Sequence, residues 1–206
     1  MIKVGLTGGI GSGKSTVSKI LISKGFSVYN SDNRAKWLMN NNDNLKSNII
    51  SIFGNKAYLK GSLNRKYLSA KVFNDSLKLK ALNSLVHPLV AIDFKNWLLH
   101  QNFKDFVFKE AAILMESGAY KEMDKIIVVS CPENIRLERV LKRDGNSPEL
   151  VKKRMQNQIS ETEKINHADF VVKNNGSESD LVLEVELVIS ELKNLTKQRD
   201  NYPQKI

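Results

Sequence analysis

Gly8-Gly9-Ile10-Gly11-Ser12-Gly13-Lys14-Ser15 follows directly on the apolar run Ile2-Lys3-Val4-Gly5-Leu6-Thr7. Gly8 and Gly13-Lys14-Ser15 have the spacing G-x-x-x-x-G-K-[ST], with strand-like sequence before it and helix-like sequence after it. Glycines let a backbone fold tightly around an anion, with no Cβ in the way of converging N–H groups. A helix beginning near Lys14 adds the positive end of its dipole. Lys14 is positioned to reach the β- and γ-phosphates of a nucleotide, and the Ser15 hydroxyl to help hold Mg²⁺. The loop alone names neither the nucleotide nor what receives the phosphate.

The chain has 206 residues, of which 41% are hydrophobic and 26% charged, enough to bury a real core. No apolar run reaches the roughly 18 residues of a membrane span. Met1 to Thr7 lacks the long apolar stretch of a signal peptide, so a cytoplasmic protein is the expectation. The one cysteine, Cys131, excludes an intrachain disulfide and a four-cysteine metal site. A net charge of +10 suits polyanionic ligands. The lysines are scattered and form no dense basic run, which makes solvated surface their ordinary meaning and gives nucleic acid no support.

Lys14 to Ser23 reads as a helix with Val17, Ile20 and Leu21 on one face and Gly25 at its C-terminal end. Phe26 to Tyr29 reads as a second strand, and Ser31 or Asp32 as the N-cap of the next helix. From there to about Asn102 the pattern is helical. Leu45, Ile49, Ile52 and Phe53 form one stripe, and a polar loop runs from Gly54 to Asn64. A helix with Leu68 and Val72 follows, then one that Pro88 should stop or kink, then one carrying Ile92 and Trp97. Strand character returns at Phe106 to Glu110, Ile126 to Ser130 and Asp169 to Lys173. Apolar strands alternating with helices argue for a parallel sheet covered on both faces, with ligands at the strands' carboxyl ends. Thr196 to Ile206 reads as a polar, frayed tail.

Asp32 stands after strand two, where a carboxylate could orient an alcohol and accept its proton. It also stands where a helix cap belongs, and position alone does not separate the two. Glu110 ends the third long strand, where an acidic residue can sit near the water shell of Mg²⁺. Arg136, Arg139 and Arg143 lie three and four apart on one helical face. With a helix starting at Ser147-Pro148-Glu149 and carrying Arg154 and Gln158, they suggest a lid that neutralises a transferring phosphoryl group. A solvated face with Glu138–Lys142 pairing is the plainer meaning of such a run. His87 suits either a substrate phosphate or a local structural role.

Together these motifs resemble the dephospho-coenzyme A kinase family over nearly the whole chain. Leu6 to Thr16 is similar to its phosphate loop, and Val28-Tyr29-Asn30-Ser31-Asp32 to its strand-two motif, whose last Asp is the family's proposed base. Gly61 to Arg65, Val72-Phe73 and His87-Pro88-Leu89 resemble its helical substrate domain, and Ala112 to Gly118 its Pro-Leu-Leu-Phe-Glu stretch. Arg139, Arg143-Asp144, Arg154 and Gln158 resemble its lid pattern, and Asn174-Asn175-Gly176 its motif near the adenine.

The resemblance implies an α/β fold of P-loop NTPase type, a five-stranded parallel sheet flanked by helices with an inserted helical substrate domain and a small helical lid. The nucleotide-binding core is expected over 1–31, 105–135 and 158–206, the acceptor domain over 32–104, and the lid over 136–157. It implies transfer of the ATP γ-phosphoryl to the ribose 3′-hydroxyl of dephospho-CoA, with Mg²⁺, in a monomer or weak homo-oligomer that engages neither membrane nor nucleic acid. Asp32, Lys14, Arg139 and Arg143 become the catalytic expectation. ATP is assigned to Gly9, Gly11, Ser12, Gly13, Lys14, Ser15 and Thr16, with Arg143, Asn174 and Asn175. The acceptor falls to Asp32, Arg65 and His87, and Mg²⁺ to Ser15, with Glu110 through water. Two positions depart from the family pattern: Asn30 stands where an Asp is usual, and Ala112 where a Pro is usual, with Glu110 in place of the common Asp.

A nucleoside or nucleoside-monophosphate kinase would share loop, sheet and lid, but the block with Arg65 and His87-Pro88 fits it less well. A GTP-binding switch would need D-x-x-G after the loop and N-K-x-D, and neither is present. A nucleic-acid-binding ATPase would need a basic patch with aromatic partners, and the 7% aromatics are dispersed.

Overall fold

A computed structural model describes residues 1–72, 75–101, 104–145 and 147–201, with side chains to residue 195. Phe73 in the expected helical segment, Asn102 at its end, Asn146 before the expected helix start at Ser147 and 202–206 of the tail lie outside the described residues. The chain divides into two units, Met1–Tyr29 with Phe103–Ile206, and Asn30–Asn102. The segment 136–157 lies in the first unit.

The long strands are β1 (Ile2–Gly8), β2 (Ser27–Asn30), β5 (Phe106–Glu110), β6 (Lys125–Ser130) and β7 (Phe170–Lys173), in the spatial order β2-β5-β1-β6-β7. β1 runs parallel to β5 and β6, and β6 parallel to β7. The order reverses beside β1, which places the loop after β1 at the switch point where such sheets bind ligands. β-Branched runs such as Ile126-Ile127-Val128-Val129 suit strands covered on both faces. Ile127 and Val129 join Val4, Leu6 and Phe108 under α1 (Lys14–Ser23) and α9 (Glu178–Asn201). Ile126 and Val128 point the other way and pack with Met115, Met123 and Ile159. Gly5 serves that second face: a Cβ there would meet Leu114 Cδ2 at 2.7 Å.

In the first unit, α6 (Glu133–Asp144), α7 (Pro148–Gln156) and α8 (Glu161–Asn166) lie between β6 and β7 in sequence. Ser147 caps α7 with Pro148 at its first position, as the sequence predicts. Val140, Val151 and Met155 pack together against Ile10 of the phosphate loop. α8 was not foreseen. Gln158 lies beyond the end of α7 rather than on it. Residues 196–201 of the expected tail are helical, because α9, which buries Leu181, Val185 and Leu192, continues to Asn201.

The second unit holds α2 (Ser31–Asn41), α3 (Asp43–Phe53), α4 (Arg65–Val72) and α5 (Ser76–Leu98). Its core includes Leu38, Leu45, Ile49, Leu68, Val90 and Phe94. Three expectations change here. The segment Gly54 to Asn64 contains a hairpin, β3 (Tyr58–Leu59) with β4 (Ser62–Leu63), turning through Lys60 at φ 49° and Gly61 at φ 80°. Pro88 sits inside one continuous helix, since Val86, Val90 and Phe94 all bury on the same side and outweigh the single missing N–H. Ile52 and Ile92 lie off the buried stripes, 47% and 55% exposed.

The architecture is the α/β, P-loop NTPase type: a five-stranded parallel sheet flanked by helices. Leu6→Ala, at a side chain with 0% exposure in the central strand, is expected to cost about 2–5 kcal/mol. Ile52→Ala should stay within about 0.5 kcal/mol. Urea midpoints of the two variants check the contrast, and equal midpoints would contradict it.

Candidate functional site

The loop after β1 closes on itself through Ser12 N–H to Gly9 O at 3.1 Å, and Gly13 caps α1 with φ 96°. That left-handed backbone excludes most side chains, and a Cβ on Gly13 would also lie 2.0 Å from Asn174 Nδ2. A Cβ on Gly11 would lie 2.5 Å from the Arg136 carbonyl, and one on Gly9 2.1 Å from Arg136 Nη1. The amides of Gly11, Gly13 and Ser15 have no protein acceptor among the described residues. Such a cradle fits a phosphate. Ser12 Oγ is buried without a hydrogen-bond partner, and the Ser15 side chain is exposed. Lys14 is buried, its Nζ donating to Gly8 O at 2.8 Å and Gly9 O at 3.1 Å. The ammonium is therefore held over the loop, next to any anion the amides receive.

Side chains from distant segments hold this loop from outside. Gln158 Oε1 accepts from Ile10 N–H at 2.8 Å while its Nε2 donates to Ala112 O at 3.1 Å. Asn174, at the end of β7, donates from Nδ2 to Ser12 O at 2.7 Å. Arg139 donates to Asn174 O at 3.2 Å and to its Oδ1 at 3.4 Å. The Asn174 amide is thus committed to the loop and to Arg139, while Asn175 is exposed. Cys131 lies buried beside Arg139, and burial pushes its thiol pKa up despite the nearby guanidinium.

Arg136 and Arg139 face inward, so the solvated-face meaning of the arginine run does not hold for them. Glu138–Lys142 pairing is absent among the described residues. Arg143 differs: it is exposed and makes a bidentate contact with Asp144, Nε at 2.7 Å and Nη2 at 3.0 Å. Arg154 Nη1 lies 3.5 Å from the same carboxylate. The Arg143 hydrogen bonds hold the Asp144 carboxyl below the ordinary carboxylate range. Glu110 is buried at the carboxyl end of β5 and accepts from Ser18 Oγ at 2.7 Å, one turn along α1 from Ser15. Among the described residues no cluster of three or more His, Cys, Asp or Glu forms a resident metal site, and none of the described helices is long and apolar enough to cross a membrane.

In the helical unit, the cap of α2 is Asn30, whose Oδ1 accepts from Asn33 N–H at 2.8 Å. Asp32 is therefore not the cap. It stands half-buried in the first turn, where the helix dipole favours its charge. Asn caps as well as Asp, so the change at position 30 keeps this function. Arg65 is exposed at the start of α4, and His87 lies half-buried inside α5. Arg34 holds Asp93 through Nε at 2.8 Å and stacks over Trp37 at 4.5 Å.

Several contacts of the site escaped the sequence reading. Glu161 Oε1 accepts from Ser130 Oγ and, at 3.1 Å, from Cys131 N–H, fixing the exit of β6. Lys164, 1% exposed, lies 3.3 Å from Glu116 Oε1. Both lie on α8, which carried a legible signal: Ser160-x-x-Glu163 has capping-box spacing, and Ser160 does accept from Glu163 N–H at 3.1 Å. Arg136 lying over Gly9 carried no such signal, because nothing local distinguishes it from Arg143.

The family model described as dephospho-CoA kinase matches residues 2–180. A dephospho-CoA kinase of Fusobacterium nucleatum is 42% identical over 184 residues, 89% of this chain and 94% of its own. One from Bacteroides fragilis is 37% identical over 175 residues, 85% of each chain. A solved structure of dephospho-CoA kinase from Campylobacter jejuni superposes with a TM-score of 0.69 at 33% identity, covering 94% of this chain and 98% of that one. With the match running from the first strand through β7 and into α9, the chain belongs to the dephospho-CoA kinase family.

Proposed function

We propose that this chain transfers the γ-phosphoryl group of ATP to the ribose 3′-hydroxyl of dephospho-CoA, giving CoA and ADP. The carrying observation is the loop whose Gly11, Gly13 and Ser15 amides lack protein acceptors while Lys14 is held across it. In this reading Lys14 exchanges the Gly8 and Gly9 carbonyls for the β- and γ-phosphates, a charge-assisted contact in place of neutral ones. Ser12 Oγ and the Thr16 segment complete the donor side. Arg139, already placed by Asn174, and Arg143, released from Asp144, neutralise charge on the transferring group. Gly9, Gly11, Asn174 and Asn175 shape the ATP site, with Asn174 acting chiefly through the Ser12 carbonyl.

Asp32 is assigned the base: its carboxylate accepts the 3′-hydroxyl proton as that oxygen bonds to the γ-phosphorus and the bond to ADP breaks. Its freedom from capping supports this. Arg65 and His87 are assigned to acceptor binding. Mg²⁺ would be held by Ser15, with Glu110 through water, and would supply charge neutralisation for the transferring phosphoryl group. The proposed setting is the cytoplasm, as a monomer or weak homo-oligomer without nucleic-acid or membrane partners.

With Mg²⁺ and ATP, purified protein is expected to release ADP rapidly with dephospho-CoA and slowly with nucleosides or water. Equal rates across these acceptors would end the assignment. Asp32→Asn should lower kcat by roughly 10²–10⁴-fold, and near-normal turnover would leave Asp32 only its place in the helix dipole. Gly13→Ala should abolish tight ATP binding in calorimetry, because its Cβ would require both a strained φ and displacement of Asn174.

A further inference from the structure

The buried residues of α1 are Lys14, Val17, Ser18, Ile20 and Leu21. Val17, Ile20 and Leu21 belong to the apolar core, and Lys14 is held over the phosphate loop. Ser18, 5% exposed, has neither role. A serine inside a helix often returns its hydroxyl to the carbonyl one turn back. Ser18 instead donates to Glu110 Oε2 at 2.7 Å, on a strand 92 positions away. A hydroxyl has a single proton to give, so this bond uses its whole donor capacity. Alanine would suit the helix interior better, and what serine adds here is a hydrogen bond to a carboxylate.

Glu110 is 5% exposed and stands in register with Leu6, two residues before Gly8. It follows Phe108 by two positions, which sets it on the strand face that α1 covers. A glutamate side chain has several torsions to fix on burial. The bond to Ser18 fixes the end of that chain. Ser15 and Ser18 are three residues apart on α1, so their side chains are neighbours on the helix. Tying Oε2 to the helix therefore sets the Glu110 carboxylate at a defined offset from the Ser15 hydroxyl. A hydroxyl and a carboxylate are hard oxygen donors, the kind that suits Mg²⁺ and its bound waters. We propose that Ser18 is a positioning residue, which holds Glu110 in register with Ser15 for the cation that enters with ATP. The inference rests on the metal assignment proposed above.

Calorimetry of ATP binding, with Mg²⁺ and with a chelator, separates this role from packing. Ser18→Ala is expected to fold, since alanine favours the helix. It should cut the gain in ATP affinity that Mg²⁺ gives by roughly 10-fold, the scale of a lost outer-shell partner. Affinity for metal-free ATP should stay within about twofold. Ser18→Thr, which keeps the hydroxyl, should recover part of the gain. Added to Glu110→Gln, Ser18→Ala should lower the gain no further, because the two act as one unit. An equal loss with and without Mg²⁺ would make Ser18 a packing residue and overturn the proposal. No loss at all, or the full loss again in the Glu110→Gln background, would overturn it too. If Glu110→Gln itself leaves the Mg²⁺ gain intact, the metal assignment falls and this inference with it. Wild-type protein that gives the expected calorimetry but does not phosphorylate dephospho-CoA overturns the reaction alone.

Discussion

The hydrogen bond from Asn174 Nδ2 to the Ser12 carbonyl, at 2.7 Å, is the contact on which the loop's shape depends. Backbone amides can converge on an anion only if the intervening carbonyls turn outward, and an outward carbonyl buried in protein needs a donor. Asn174 supplies one for Ser12, whereas the Gly8 and Gly9 carbonyls hold the Lys14 ammonium over the loop. Gln158 does the complementary task by accepting from Ile10 N–H, so that this amide is taken out of the cradle. β7 and the segment after α7 are thereby needed for a loop nearly all of whose residues are local to β1 and α1. Glycine makes the conformation accessible, and these distant polar side chains select it.

Charge in the first unit is arranged in two layers. Arg136 and Arg139 are bound to carbonyls and carboxylates behind the loop, whereas Arg143, among the described residues, reaches only an exposed neighbour, Asp144. An exposed ion pair contributes little, commonly about 0–1 kcal/mol, so exchanging Asp144 for a phosphate costs little. The inward arginines cannot be exchanged so cheaply, since breaking a buried pair leaves a charge without compensation. Arg143 is thus suited to move between partners and Arg139 to stay in place. The Lys164–Glu116 pair belongs to the second kind, tying α8 to the segment after β5.

The helical unit shows how one substitution can leave a local structure intact while changing its chemistry. Asn30 in place of a carboxylate still caps α2, because either side chain offers an oxygen to the N–H three residues on. What disappears is a negative charge two positions from Asp32. Having no capping duty, Asp32 can be judged on its chemistry alone. Pro88 makes a related point, since packing of Val86, Val90 and Phe94 carries α5 through a residue that locally opposes a helix.

The sequence by itself determined the phosphate loop, the five parallel strands and most helix starts, because these rest on local chemistry. Gly13 needs no neighbour to favour φ 96°, and Ser147-Pro148 begins a helix wherever it stands. Resemblance then extended the reading to the family. Local pattern failed where the deciding partner is remote in sequence. Ile52 fitted its stripe yet faces solvent, and Pro88 did not break α5. Arg136, Arg139 and Arg143 share one spacing, but only the tertiary structure separated them, by setting Gly9 and Glu161 beside the first, Asn174 beside the second and solvent beside the third. Helical periodicity says which residues share a face. What that face meets is decided by contacts between segments up to 162 positions apart, as with Asn174 and Ser12.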